Sequence, residues 1–368
     1  MKATLVIGNI GELATPTGSS ARRGAGMSEL RVVRDAAVAI DVETIVWAGP
    51  AREMPPVEGP APEFVDAGGR AVVPGIVDSH THFVFGGYRA EEFYWRAAGL
   101  PYMEIHARGG GIANTVRDTR SASLDDLLAS ATPRLERMLE LGITTVEGKS
   151  GYGLDLDTEI RQLEAMRVLD ARQPVDIVAT YMGPHSIPTE YKDSPSGYID
   201  FILRDVLPRV RERGLARFCD VFCDHLLKAS GDDLDAMARA GVVATCLPVT
   251  AFTLREPYAD ARGMIDRGLA VALASDLNPG SCYSQSIPLV AALGVLYMNM
   301  SIEEVLTALT LNGAAAVGQA GDRGSIEPGK IADALILDAP SFRHLAYNAG
   351  MNIVDTVIKR GKVVSVRN

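Results

Sequence analysis

The chain has 368 residues, room for one large domain or two ordinary ones around a sizeable core. With 47% hydrophobic and 22% charged residues, and glycine and proline dispersed along it, the composition is that of a folded, loop-rich protein rather than a disordered one. The net charge of −10 excludes the basic surface a nucleic-acid partner requires, and no uncharged apolar stretch reaches the ~20 residues that span a bilayer. The apolar run Leu5 to Ile7 is too short for a signal peptide, so a cytoplasmic location is expected. Cys219, Cys223, Cys246 and Cys282 form no CxxC pair and read as reduced thiols rather than a disulfide or zinc framework.

At the amino terminus, Ala37 to Ile40 and Thr44 to Ala48 read as short strands between turns. Ala334 to Leu337 and Ile353 to Val364 read the same way at the other end, and chain termini commonly lie close together. Residues 1–65 and 324–368 are therefore expected to form one small β-sandwich domain, with 66–323 as a barrel between them. From Ala71 to Ala320, short apolar runs alternate with helical patterns, the signature of βα units around a parallel sheet. Strands are expected at 76–82, 143–149, 176–182, 218–223, 242–247 and 269–275. The helix Leu124 to Leu141 has Ser123 and Asp126 as its capping pair, Gly142 as its stop and Pro133 as an expected kink. Six strands are legible, whereas a closed (β/α)8 TIM-type barrel needs eight.

The sharpest chemical signal is His80-Thr81-His82. On a strand, residues i and i+2 project to one face, and these two imidazoles come at the carboxyl end of the first barrel strand, where such barrels keep their active sites. Asp276 ends the apolar run Leu269 to Ser275 in the same way and offers a carboxylate to an ion or to its water. Tyr152, His185 and His225 follow the second, third and fourth strands at the same edge. Arg89 follows the HxH segment, where its guanidinium can clamp a substrate carboxylate or simply pair with Glu91 or Glu92.

These segments resemble the metal-dependent amidohydrolase superfamily, and most closely its imidazolonepropionase family. The resemblance rests on Pro74 to His82 with Phe85-Gly86-Gly87, on Thr144 to Glu147 with Lys149-Ser150-Gly151-Tyr152-Gly153, on Asp220 to Cys223, and on Ala274 to Ser281. Gly324 to Asp333 is similar to the superfamily as well. The resemblance implies one zinc or iron ion per subunit on His80, His82 and Asp276. It implies a small-molecule substrate, imidazolone propanoate, held by Arg89, Tyr152, His185, Asn278, Gly280 and Ser281, with Asp276, His225 and His185 in catalysis. The implied reaction is hydrolysis of the lactam C–N bond of 4-imidazolone-5-propanoate to N-formimidoyl-L-glutamate, a step of histidine degradation. A homodimer is the base-rate expectation for the assembly.

One departure stands out. The family pattern has a full barrel whose fifth strand ends in His-Ala-Asp and supplies a third metal histidine, whereas Cys223 here runs directly into Asp224-His225, which resembles the end of the sixth strand. By that resemblance roughly 48 residues are missing between Cys223 and Asp224, in line with the strand count. Losing adjacent strands would leave barrel edges with unpaired main-chain groups. Two other functions fit the same residues: another cyclic-amide hydrolase or deaminase, or a non-catalytic binding protein of this fold that lacks a metal ligand.

Overall fold

Two hydrophobic cores organise the chain, and the strands between them serve both. In the computed structural model, which describes residues 1–100, 104, 108–222 and 229–367, the strands are Leu5–Thr15 (β1), Arg31–Asp41 (β2), Thr44–Pro50 (β3), Glu63–Asp66 (β4), Ala71–Pro74 (β5), Ile76–Asp78 (β6), Ile143–Lys149 (β7), Asp176–Tyr181 (β8), Phe218–Cys219 (β9), Val243–Cys246 (β10), Ala270–Leu273 (β11), Ala334–Leu337 (β12), Val354–Lys359 (β13) and Lys362–Val366 (β14). Side chains alternate across a strand, so in β5 Val72 enters the smaller core while Ala71 and Val73 enter the larger. In β12, Ala334 and Ile336 face the smaller core and Leu335 and Leu337 the larger.

The terminal strands form one sheet in the order β14-β13-β12-β5-β1-β2-β3, with β4 also on β1. Its members therefore come from both ends of the chain, and it takes in Ala71–Pro74, beyond the boundary at 65 expected from the sequence. The expected strand from Ile353 to Val364 is two strands, because Arg360 and Gly361 both have positive φ (48° and 71°) and close a tight hairpin between β13 and β14.

The barrel contributes a parallel four-stranded sheet, β6-β7-β8-β9, and a parallel pair, β10-β11. Helices return the chain between strands, several with capped amino termini. Ser123 and Asp126 close a reciprocal capping box on Leu124–Glu140, and Ser230 and Ser301 do the same for Gly231–Ala240 and Ile302–Leu309. The helix Leu124–Glu140 runs through Pro133 as one element. At one junction the two sheets still touch through main-chain bonds beyond the strand ends, Asp276 N–H to His80 O at 3.0 Å and His82 N–H to Leu277 O at 2.8 Å. At the other, β9 and β10 share no ladder among the described residues, and Phe218, Val221 and Val242 are exposed beside them. That is the open edge expected of a barrel short of strands. The strand expected over 218–223 is confined to Phe218–Cys219, and the Cys223–Asp224 junction lies outside the described residues.

The terminal sheet is tied to the foot of the barrel by charge. Asp176, the first residue of β8, accepts hydrogen bonds from Lys359 Nζ at 2.8 Å, from Arg360 Nη2 at 3.1 Å and from Arg323. Lys359 Nζ also reaches Asp333 at 2.7 Å. Burial works against the Asp176 charge, but Lys359 and Arg323 outweigh it and bring its pKa down to about 2. A carboxyl depressed from an ordinary 3.8 contributes stability that is complete above about pH 4 and is lost as the pH falls toward 2, about 2 kcal/mol in this case. The expected result is that the stability gap between the native chain and Asp176→Asn, measured by urea unfolding, shrinks by about that amount between about pH 5 and pH 2. A gap that does not change with pH would show that Asp176 is not held in this way. Among the described residues, no helix is long and apolar enough to cross a membrane.

Candidate active site

The loops at the carboxyl ends of the barrel strands surround a cavity of about 620 Å³, and His80, His82, Arg89, Tyr152, His185 and Asp276 all line it. The HxH segment lies just past β6 rather than on it, since the strand ends at Asp78. It is held extended from both sides, by the bonds to residues 276 and 277 already described and by Lys149 N–H donating to Thr81 O at 2.9 Å. The two imidazoles consequently keep the shared orientation a strand would have given them.

Asp276 stands opposite. Its Oδ1 is 3.6 Å from His80 Nε2 and 4.0 Å from His82 Nε2, and donor atoms of the three residues all lie within 4.8 Å of one another. These separations are too long for hydrogen bonds, yet they suit donors that each sit ~2.1 Å from a common ion. Asp276 adopts a left-handed backbone (φ 52°), a conformation that costs about 1 kcal/mol or more and is maintained by the surrounding structure. Behind it, Asp78 accepts from Ser275 N–H at 3.0 Å and Ser275 Oγ at 2.5 Å, fixing the chain on both sides of the junction. Thr250 Oγ donates to Asp276 Oδ2 at 2.6 Å.

Burial controls the charge states. It lowers His80 to about 3, aided by the Lys149 charge, and lowers His82 well below the usual histidine range. Both imidazoles are therefore neutral and available as ligands at neutral pH. Burial pushes the Asp276 carboxyl up to about 7, against hydrogen bonds from Thr250 and Asn278. Two neutral imidazoles and a carboxylate within reach of both make a donor set that fits a divalent transition metal.

The remaining predicted residues divide between the cavity and its supports. The Tyr152 ring contacts those of His82 (5.5 Å between centroids) and His185 (5.2 Å), and His185 stacks on His82 at 5.0 Å. Burial raises the Tyr152 pKa, so its hydroxyl stays protonated as a donor. His185 Nδ1 lies 2.9 Å from Gly151 O; a carbonyl only accepts, so the proton sits on Nδ1. Burial lowers the His185 pKa, which leaves Nε2 of the neutral ring as an acceptor. Arg89 is clamped by Glu92, Nε to Oε1 at 2.9 Å and Nη2 to Oε2 at 2.7 Å, so the ion pair weighed against a substrate clamp is present. Its Nη1 has no protein partner among the described residues and lies against Gly280, where a Cβ would come within 2.1 Å of it. Asn278 supports the loop: Oδ1 accepts from Gly280 N–H at 2.9 Å and Ser281 N–H at 2.8 Å, while Nδ2 donates to Asp276 O at 2.7 Å. Its amide is spent on holding Gly280 and Ser281 in place. His225 lies outside the described residues.

Several supports are not evident from sequence. Thr250 belongs to the helix Pro248–Leu254, whose signal was Pro248 at the first helical position directly after β10. Glu159, buried near the start of the helix Leu156–Arg172, accepts from the N–H groups of Gly151 (3.0 Å), Gly153 (2.8 Å) and Leu154 (2.9 Å), and so shapes the loop that carries Tyr152. Lys149 Nζ bridges Glu147 at 2.7 Å and Asp220 at 2.8 Å beside the imidazoles. Burial opposes the Lys149 charge, but the two carboxylates outweigh it and keep the group protonated.

Residues 174–364 match the model of the amidohydrolase family. The fold is similar to that of Escherichia coli guanine deaminase, with a TM-score of 0.70 at 14% identity over 99% of each chain. It is also similar to an adenosine deaminase from Xanthomonas campestris with bound zinc, with a TM-score of 0.67 at 18% identity over 98% of this chain and 93% of the other. In sequence the chain is 46% identical to the imidazolonepropionase of Parabacteroides distasonis over 408 aligned positions, covering 98% of each. It is also 46% identical to that of Bacteroides thetaiotaomicron over 418 positions, covering the whole of both. An alignment of 418 positions cannot be filled by 368 residues, so at least 50 positions of it have no counterpart here. The shorter alignment leaves at least 40, and both agree with the deficit expected from the six legible strands. Identity at this level across nearly the full length of each relative makes the chain a member of the imidazolonepropionase family of amidohydrolases.

Proposed function

We propose that this protein hydrolyses the lactam C–N bond of 4-imidazolone-5-propanoate, giving N-formimidoyl-L-glutamate. The observation that carries the proposal is one cavity with two chemistries: a His-His-Asp donor set on its floor, and a guanidinium at the side with an unspent Nη1. The substrate needs both, an activated water for its ring carbonyl and a cation for its propanoate.

His80, His82 and Asp276 would hold one zinc or iron ion, either of which suits imidazole and carboxylate ligands. Three protein ligands are the usual complement of a catalytic site that keeps a position open. When bound, the ion supplies Lewis acidity and brings the pKa of water toward ~7. The chain supplies the rest. The Asp276 carboxylate takes the proton of the attacking water and delivers it to the departing ring nitrogen. Thr250 keeps the carboxylate turned toward the cavity. Tyr152 donates its hydroxyl to a substrate oxygen. His185 accepts a ring N–H at Nε2, because its Nδ1 proton is directed to Gly151 O. Arg89 Nη1 meets the propanoate.

Lys149 is matched by Glu147 and Asp220, so the unspent Nη1 of Arg89 is a cationic donor left for a ligand. The partner is thus a small anionic molecule, and the expected setting is a cytoplasmic homodimer.

The test is an assay that follows imidazolone absorbance and ammonia together. Loss of absorbance with no ammonia released is the expected result. Ammonia release would favour a deaminase, and no turnover by metal-loaded protein would favour a binding protein.

A further inference from the structure

Arg96 belongs to no role described so far, yet it projects into the same cavity. Arg89, Glu92 and Arg96 are spaced i, i+3, i+7 at the start of and along the helix Ala90–Ala97, which places the three on one face. That face looks across to the loop at Gly280, where Arg96 Nη2 donates to Gly280 O at 2.8 Å. The same glycine, lacking a Cβ, admits the Arg89 guanidinium. Two cations therefore converge on one residue at one end of the cavity.

Counting donors shows what this end lacks. Glu92 occupies Arg89 Nε and Nη2, and Gly111 N–H also donates to Glu92 Oε1 at 3.1 Å. Glu92 makes no hydrogen bond to Arg96 among the described residues, and its charge is shared with Arg89. Among the described residues Arg96 spends only Nη2, and its Nε is buried with no hydrogen-bond partner. Arg96 lines the cavity and its Nη1 makes no hydrogen bond among the described residues, so the guanidinium has a donor to offer an acceptor from outside the chain. Burial and the neighbouring Arg89 act against the Arg96 charge and outweigh the support of Glu92, which an anion would supplement.

We propose that Arg96 is a second cation for the substrate carboxylate, acting with Arg89 across Gly280 to select substrates that end in a carboxylate. This rests on the proposed function, because the cavity is taken to hold imidazolone propanoate with its propanoate toward Gly280. Arg96 is then a specificity-determining residue, remote from the bond that breaks. Its loss acts on binding of the anionic tail.

The test compares Arg96→Met and Arg96→Lys with the native metal-loaded protein, on the propanoate substrate and on its neutral primary amide. For Arg96→Met the expected result is a KM for the acid raised by about 30-fold, with kcat within about threefold, as befits a charged hydrogen bond lost far from the reacting atoms. Activity on the amide stays level, so the preference for acid over amide falls by a similar factor, and Arg96→Lys recovers part of it. Equal losses on acid and amide would overturn the proposal and make Arg96 a packing residue, as would an unchanged KM. To separate this from a failure of the functional reading, binding of imidazole-4-propanoate and of its amide is measured by calorimetry. A native preference for the acid that disappears in Arg96→Met supports the proposal whatever the turnover. No preference in the native protein, or one that survives in Arg96→Met, overturns it.

Discussion

Asp276→Asn is expected to lower kcat by about 10³-fold or more while leaving the fold intact, because one carboxylate serves both the donor set and the proton transfer. The amide is nearly the same size and can still accept the Thr250 hydrogen bond, made at 2.6 Å in the native chain. What it lacks is the charge that faces His80 and His82, and a basic oxygen able to receive a proton. Metal content after purification should fall with activity, since two neutral imidazoles remain as the only ligands of the set. Rates and metal content are both read on protein whose unfolding midpoint matches the native one. Activity within tenfold of native would remove Asp276 from the proton transfer.

Glu159→Ala is expected to be the most damaging change outside the donor set. Three backbone N–H groups, of Gly151, Gly153 and Leu154, converge on this buried carboxylate, and removal strands all of them. At about 1–3 kcal/mol for each unsatisfied buried donor, less what entering water restores, a loss of about 3–5 kcal/mol in unfolding free energy follows. Function should suffer as well. Gly151 O holds His185 Nδ1 and the loop carries Tyr152, so KM rises even in protein that remains folded. Glu159→Gln, which keeps an acceptor oxygen but turns an NH2 toward other donors, should fall between native and alanine. Unfolding free energy and KM measured on both variants check the ordering. A Glu159→Ala protein of native stability would show that the loop is held by something else.

Much of the barrel was legible because its signals are local. The reciprocal Ser123–Asp126 cap, the alternation of short apolar runs with amphipathic helices, and His80 and His82 two residues apart all depend on neighbours within one or two turns. The six-strand count also came from local pattern, and the open junction between β9 and β10 reflects it. The residues missed were those whose importance depends on contacts distant in sequence. Thr250 matters because β10 and β11 pair and bring it to Asp276, and Arg96 because its helix faces the Gly280 loop from 184 residues away. Glu92 is a surface-type residue by composition, yet it is buried once its partner Arg89 neutralises it.

By itself, then, the sequence determined the fold class, the metal-binding residue types and the family, all carried by short stretches whose chemistry survives any packing. Tertiary structure alone decided how those residues are used. It placed the Asp276 oxygen 3.6 and 4.0 Å from two imidazoles and committed the His185 proton to Gly151. It also divided the donors of Arg89 between Glu92 and the cavity, and left an N–H of Arg96 without a partner among the described residues. The physical reason is that protonation state and hydrogen-bond supply depend on burial and on which groups are brought within about 3 Å, and both are set when distant segments pack together.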